Sequence, residues 1–138
     1  MKPSALVTDN VTELLVKIIE FTQTRQKILT QNINNIRTVG FAPQDLPVDE
    51  FSDLLNAAID EHIRNRRLML RDTENFKFGS GGSLQLKPVT DQRAKKLREH
   101  KPDEYLELQI NKLLENSLNQ RIATELLKQK QGLISIFD

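Results

Sequence analysis

Apolar residues recur every three or four positions in two long stretches at opposite ends of the chain. From Asp9 to Ile36 they fall at Val11, Leu14, Leu15, Ile18, Ile19, Phe21, Ile28, Leu29, Ile33 and Ile36, which is one face of a helix. Asp9 or Asn10 can cap its start, and Glu13 stands in the first turn, where the helix dipole favours a carboxylate. Gly40, Pro43 and Pro47 end this helix and predict a turn over 37–47. A second stripe, Phe51, Leu54, Leu55, Ala58, Ile59, His62, Ile63 and Met69, predicts a middle helix over 48–71. Arg64, Arg66, Arg67 and Arg71 crowd its far end, where the dipole favours cations.

The period is lost over 72–102. Two short alternating pieces, Phe76-Lys77-Phe78 and Leu84-Gln85-Leu86, flank the turn-prone Gly79-Ser80-Gly81-Gly82-Ser83, the pattern of a hairpin around a flexible tip. Lys95, Lys96, Arg98 and Lys101 then read as a solvated basic run, closed by Pro102. The helical stripe returns over 103–137 with Leu106, Ile110, Leu113, Leu114, Leu118, Ile122, Leu126, Leu127, Leu133, Ile134 and Phe137. The expected fold is therefore mostly α and a single domain over 1–138. Long N-terminal (9–36) and C-terminal (103–137) amphipathic helices pair as a coiled-coil-like core, beside a shorter middle helix and an irregular segment that can hold a hairpin. Leu14, Ile18 and Ile28 are expected to meet Leu113, Leu114 and Leu126 in that core, where a carboxylate in place of Leu114 would be buried without a partner.

Composition narrows the chemistry. The 138 residues are 38% apolar, 28% charged and only 5% aromatic, so the core is thin for a domain of this size. With no Cys and two His there is no thiol nucleophile, no disulfide framework and no structural zinc shell. His62 reads as a helix-face residue beside Glu61 rather than a ligand or base. The Gly79 to Ser83 segment lacks the Lys and hydroxyl residue of a phosphate loop. Catalytic, cofactor-binding and metal-binding residues are all expected to be absent. The formal net charge of +1 argues against a nucleic-acid partner, and the Arg64 to Arg71 cluster has no aromatic residue interleaved for base stacking. No run of 18 apolar residues is present, so direct membrane insertion is not expected, and Met1 to Asp9 lacks the apolar stretch of a secretory signal.

The most specific stretch is Leu29-Thr30-Gln31-Asn32-Ile33-Asn34-Asn35-Ile36-Arg37-Thr38-Val39-Gly40-Phe41. It resembles the signature of bacterial flagellar axial proteins, an Asn-Ile-x-Asn near the end of the first helix followed by Thr-Pro-Gly-Tyr or a close variant. Asn32, Ile33, Asn35, Thr38 and Gly40 match, and Phe41 keeps the aromatic. Asn34 stands where the family usually has Ala and Val39 where it usually has Pro, which predicts a looser turn. Within the family the layout is most similar to proximal rod proteins of the FlgB type, with Phe51, Leu54 and Leu55 soon after the turn. The run Ile110 to Arg121, including Leu113, Leu114 and Asn116, is similar to the family's closing helix. There Gln109-Ile110 replaces the usual Glu-Met, and Gln120 replaces the usual Tyr.

The resemblance implies a structural subunit of the flagellar basal-body rod, not an enzyme, needed for flagellum assembly and torque transmission. It implies self-association through the terminal helices, other rod proteins and the basal-body ring and export base as partners, and a periplasmic place reached by type III export without a cleaved signal peptide. Two other readings of the residues stay open. One is a soluble helical adaptor or export chaperone that binds a partner's amphipathic helix, and the other a minor RNA-binding protein using the basic clusters.

Overall fold

Helix α1 (Asn10–Asn34) is the axis on which the other elements pack. The computed structural model describes residues 9–79 and 83–137, with side chains as far as Gly132. Asp9 caps α1 by accepting from the Thr12 amide at 2.8 Å, and Glu13 occupies the first turn as expected. Strand β1 (Gln44–Asp45) follows the turn, then helix α2 (Val48–Asn65), strand β2 (Phe76–Lys77), strand β3 (Gln85–Leu86), strand β4 (Val89–Thr90), helix α3 (Gln92–His100) and helix α4 (Pro102–Phe137). The hairpin pairs β2 and β3 antiparallel, with Phe76 opposite Leu86. Strands β1 and β4 pair antiparallel as well, Gln44 opposite Thr90 and Asp45 opposite Val89.

One face of α1 carries the apolar core. Phe21 and Ile28 meet Leu46, Phe51 of α2, and Phe76, Phe78 and Leu84 of the hairpin. The Phe21 and Phe51 rings stack with centroids 4.1 Å apart and planes 2° from parallel, and Phe76 lies 5.5 Å from Phe51. Each such pair contributes about 0.5–1.5 kcal/mol beyond the area it buries. The neighbouring face of α1 takes α4, which runs antiparallel: Tyr105 lies against Asn32, Asn116 against Thr22, and Lys130 against Asp9. The mostly helical fold with long terminal helices and a short strand-containing middle is as the sequence pattern predicts.

The expected middle helix over 48–71 is shorter, ending at Asn65. Arg66 turns left-handed (φ 56°) while its N–H bonds to the His62 carbonyl, and the Asn10 side chain donates to the Arg66 carbonyl at 3.3 Å and to His62 Nδ1 at 3.1 Å. Beyond it Leu68 and Leu70 are half-buried on either side of exposed Met69, so an extended period of two replaces the helical one. Over 72–102, where the helical period is lost, the expected hairpin is followed by a helix that the pattern does not predict. This helix is α3, whose Asp91 cap accepts from the Ala94 amide at 3.0 Å and whose Ala94 is fully buried. Ser80, Gly81 and Gly82, the tip of the expected flexible segment, lie outside the described residues, as do the side chains of Leu133, Ile134 and Phe137.

Phe51→Ala removes the middle ring of the three and should lower the free energy of unfolding by about 3–5 kcal/mol in a denaturant titration followed by circular dichroism. A loss below about 1 kcal/mol would show that the aromatic cluster is not what holds α2 to α1.

Candidate assembly surface

The signature residues build a turn. Asn32 is 1% exposed, and its side chain reads the backbone of β1 on both edges: Nδ2 donates to the Gln44 carbonyl at 2.7 Å and Oδ1 accepts from the Gln44 amide at 3.1 Å. Asn35 closes α1, its Nδ2 donating to the Gln31 carbonyl at 2.8 Å and its Oδ1 accepting from the Thr38 hydroxyl at 2.9 Å. Gly40 follows at φ 81° with open space where a Cβ would stand, so the conformation and not crowding selects glycine there. Ile33 is half-buried and Thr38 exposed. Phe41 is half-buried under the Arg98 guanidinium, 5.5 Å from its ring centroid. The same Arg98 donates to the carbonyls of Ile36, Thr38 and Phe41, so it is a clamp on the turn and not the solvated residue that the basic run suggested.

Next to the turn sits a buried charge cluster. Arg25 of α1 grips the Asp45 carboxylate through Nε at 2.8 Å and Nη2 at 3.0 Å. Lys112 of α4 reaches Asp45 and Asp91 at 2.8 Å each, which balances two cations against two carboxylates. Burial works against the Asp45 carboxylate, but hydrogen bonds and charge from Arg25 and Lys112 outweigh it and hold the carboxyl below its ordinary value. Burial likewise opposes the Lys112 ammonium, and its two carboxylate partners raise its pKa all the same. Burial raises the pKa of Tyr105, whose hydroxyl donates to the Asn32 carbonyl at 2.8 Å.

The α1–α4 seam is therefore polar for much of its length. Tyr105, Gln109 and Asn116 are at most 1% exposed, with Lys112 between them and Ala123 beyond. Asn32 donates to Gln109 Oε1 at 3.0 Å, and Asn116 donates to the Thr22 carbonyl at 2.8 Å. The Gln109 amide nitrogen has no partner among the described residues. The expectation that Leu114 and Leu126 line this seam is overturned. Leu114 is 64% exposed, and Ile110, Leu118, Ile122 and Leu126 are exposed as well. Of the others assigned to the seam, Leu14 and Ile28 are buried, whereas Ile18 and Leu113 are half-buried. Ile28 and Ile18 belong to the apolar core that α1 shares with α2 and the hairpin.

The exposed residues at 110, 114, 118, 122 and 126 form one ridge of four-residue steps, about 24 Å long at 1.5 Å per residue. Such a ridge is inclined to the helix axis, so it winds around α4 and enters a groove between α1, α2 and α4 at Ile122 and Leu126. The groove encloses about 270 Å³, with Leu15 and Ile18 of α1 and Val48, Phe51 and Leu55 of α2 among its lining. Ridge and groove are one apolar surface. Sequence reasoning named several of its residues but placed them on the inside. It gave no role to Arg25, Asp45, Asp91 or Lys112 and took Arg98 as solvated; the one sequence signal for the inner face of α4 is the seven-residue spacing of Tyr105 with Lys112 and of Gln109 with Asn116. Among the described residues no group of His and carboxylates could hold a metal ion, and no helix is long and apolar enough to cross a membrane.

Asp45→Asn leaves buried Arg25 without its carboxylate and half-buried Lys112 with Asp91 alone, and should cost about 3–5 kcal/mol. Because the Asp45 pKa is depressed in the fold, its contribution is complete above the unfolded value of about 3.9 and is lost as pH falls through the lower folded value. Lys112, raised in the fold, contributes fully below its unfolded value of about 10.4 and loses that share as pH rises through the folded one. Unfolding free energies measured from about pH 2 to pH 7 should therefore fall less steeply toward acid in Asp45→Asn than in wild type, and equal slopes would remove the cluster from the acid response. Compared with known proteins, the chain matches no family model, no curated protein and no solved structure.

Proposed function

We propose that this protein is a structural subunit of a helical assembly, a rod protein of the bacterial flagellar basal body needed for flagellum assembly and torque transmission. The observation that carries the reading is the apolar ridge from Ile110 to Leu126, turned outward while Gln109, Lys112 and Asn116 face α1. A helix that spends its polar side chains on its own chain and its leucines on the outside has its apolar burial completed by other molecules. The turn supports the same reading, since Asn32, Asn35, Thr38, Gly40 and Phe41, the residues that resemble the axial-protein signature, each take part in its geometry. Other rod proteins, and the ring and export base beneath them, are the partners this reading implies, with a periplasmic site reached through the flagellar export route.

The groove favours a second reading, a helical adaptor or export chaperone, because its apolar lining from α1, α2 and α4 is the kind of surface an amphipathic helix covers. The two part on self-association. A rod-type subunit gains mass and helix content with its own concentration, whereas an adaptor stays monomeric until given its client.

Leu114→Asp separates folding from assembly. At an exposed position it should change the unfolding free energy by no more than about 0.5–1 kcal/mol, yet block association and fail to restore swimming to a deletion strain that the wild-type gene rescues. A deletion strain that swims normally, or full rescue by Leu114→Asp, would end this reading.

A further inference from the structure

We infer that residues 67–71 form a docking strand, to whose outer edge another protein adds an uncharged extended segment with apolar side chains at alternate positions. The inference stands apart from the subunit reading and concerns a different face of the molecule.

The segment is extended, and nothing is paired to its backbone. Residues 67–72, between α2 and β2, lie in no helix or strand, and their side chains alternate: Leu68 and Leu70 are half-buried, whereas Arg67, Met69 and Arg71 are exposed. Among the described residues no hydrogen bond reaches the backbone N–H or C=O groups of 67–72. The C-terminal end is nonetheless anchored to the hairpin. The Thr73 amide donates to the Phe76 carbonyl at 2.8 Å, and the Phe78 amide donates to the Asp72 carboxylate at 2.9 Å. In a continued ladder Phe78 would donate to the Arg71 carbonyl instead, so the Asp72 side chain stops the hairpin from extending into the segment. Backbone groups of successive residues in an extended chain point to opposite edges. Since Thr73 donates toward the hairpin, Arg67, Met69 and Arg71 share that edge, and Leu68, Leu70 and Asp72 present their N–H and C=O groups to the outer one. An extended row of unpaired donors and acceptors is a template for a further strand.

The side chains set the chemistry of the occupant. An added strand lays its own side chains beside Leu68 and Leu70 on the inner face, where Val16 and Phe78 line the same hollow, and beside Met69 on the outer face. Lys17 and Glu20 in that hollow are bonded to each other. On the outer face Arg67 is bonded to Glu61 and Arg64 to Asp60, and Arg71 lines a cleft with Asp53 and with Glu50, which accepts from Thr73 and Asn75. Neither sign of charge is left in clear excess, so apolar contacts and backbone bonds carry the recognition. A second copy of the same strand is disfavoured, because antiparallel pairing about Met69 sets each Arg67 opposite an Arg71.

The test uses the full chain and a fluorescein-labelled peptide of seven alternating valine and threonine residues. Binding should saturate below about 1 mM and slow hydrogen exchange at the Leu68, Leu70 and Asp72 amides by about tenfold or more, with those of Arg67, Met69 and Arg71 unchanged. Leu68→Pro removes an outer-edge donor that bonds to nothing in the fold and should abolish binding. Met69→Pro removes a donor on the other edge and should bind as wild type does, with the circular dichroism spectrum kept in both variants. The wild-type exchange pattern, together with the same peptide N-methylated along its backbone, decides the question even if a proline variant unfolds. No saturable binding, equal binding of the N-methylated peptide, or protection in the groove between α1, α2 and α4 instead of at 68–72 would each overturn the docking strand, and none of these results bears on the subunit reading.

Discussion

The carboxylate of Asp45 is the point through which the rest of the structure is registered. Arg25 reaches it from α1, Lys112 from α4, and Lys112 in turn holds Asp91, the residue that caps α3. One buried cluster therefore ties both long helices to β1 and to the start of α3, and the β1–β4 pairing carries Asp45 and Val89 as opposite partners beside it. A buried cluster of this kind contributes little net stability compared with well-packed apolar groups, because desolvating the ions offsets most of their attraction. Its effect is on geometry. Sliding α4 by one turn would take Lys112 away from both Asp45 and Asp91, which disfavours that register.

With register fixed by charge and hydrogen bonds, the main apolar cluster lies between α1, α2 and the hairpin. Phe21, Phe51 and Phe76 stack there, and α4 contributes nothing to that cluster. The division explains an arrangement that would be wasteful in a self-sufficient monomer. The seam needs polar atoms to be specific, so the aliphatic residues of α4 are displaced to its outer face, where they remain available for a second packing event. A ridge of four-residue steps favours partner helices crossing at roughly 50°, not the shallow angle of a two-stranded coiled coil. The terminal helices thus pair as expected, but the leucine seam expected between them is replaced by Asn32, Gln109, Asn116 and the charges.

Much of this architecture is legible in the sequence, and its illegible parts have a common cause. Three-and-four spacing locates α1, α2 and α4, and alternation around the Gly-rich tip locates the hairpin, because each pattern is a local consequence of having one face in water. Helix α3 is invisible to the same method: it buries only Ala94 and half of Leu97, and its Arg98 is held by the backbone of residues 36–41, about sixty positions away. The inner face of α4 is misread for the same reason. Gln109 and Asn116 meet partners 77 and 94 residues distant, and a polar side chain satisfied at that separation looks, in sequence, like one satisfied by water. Apolar periodicity says which face of a helix avoids solvent in the finished state, but it does not say whether the chain itself or its neighbour provides the cover.

That distinction orders the events of assembly. The near half of α4 is fixed by Tyr105, Gln109, Lys112 and Asn116, whereas the far half has buried Ala123 and the partly exposed Lys130–Asp9 pair to hold it. Exposed pairs of that kind contribute at most about 1 kcal/mol, so among the described residues the far half is fixed by fewer polar contacts than the near half. It also carries Ile122 and Leu126, the residues where the ridge meets the groove. Any molecule that covers this surface binds the ordered helix in preference to the frayed one, and by linkage its binding free energy becomes helix stability. In the assembly proposed above, folding of the near half and its charge cluster would precede association, and ordering of the far half would accompany it.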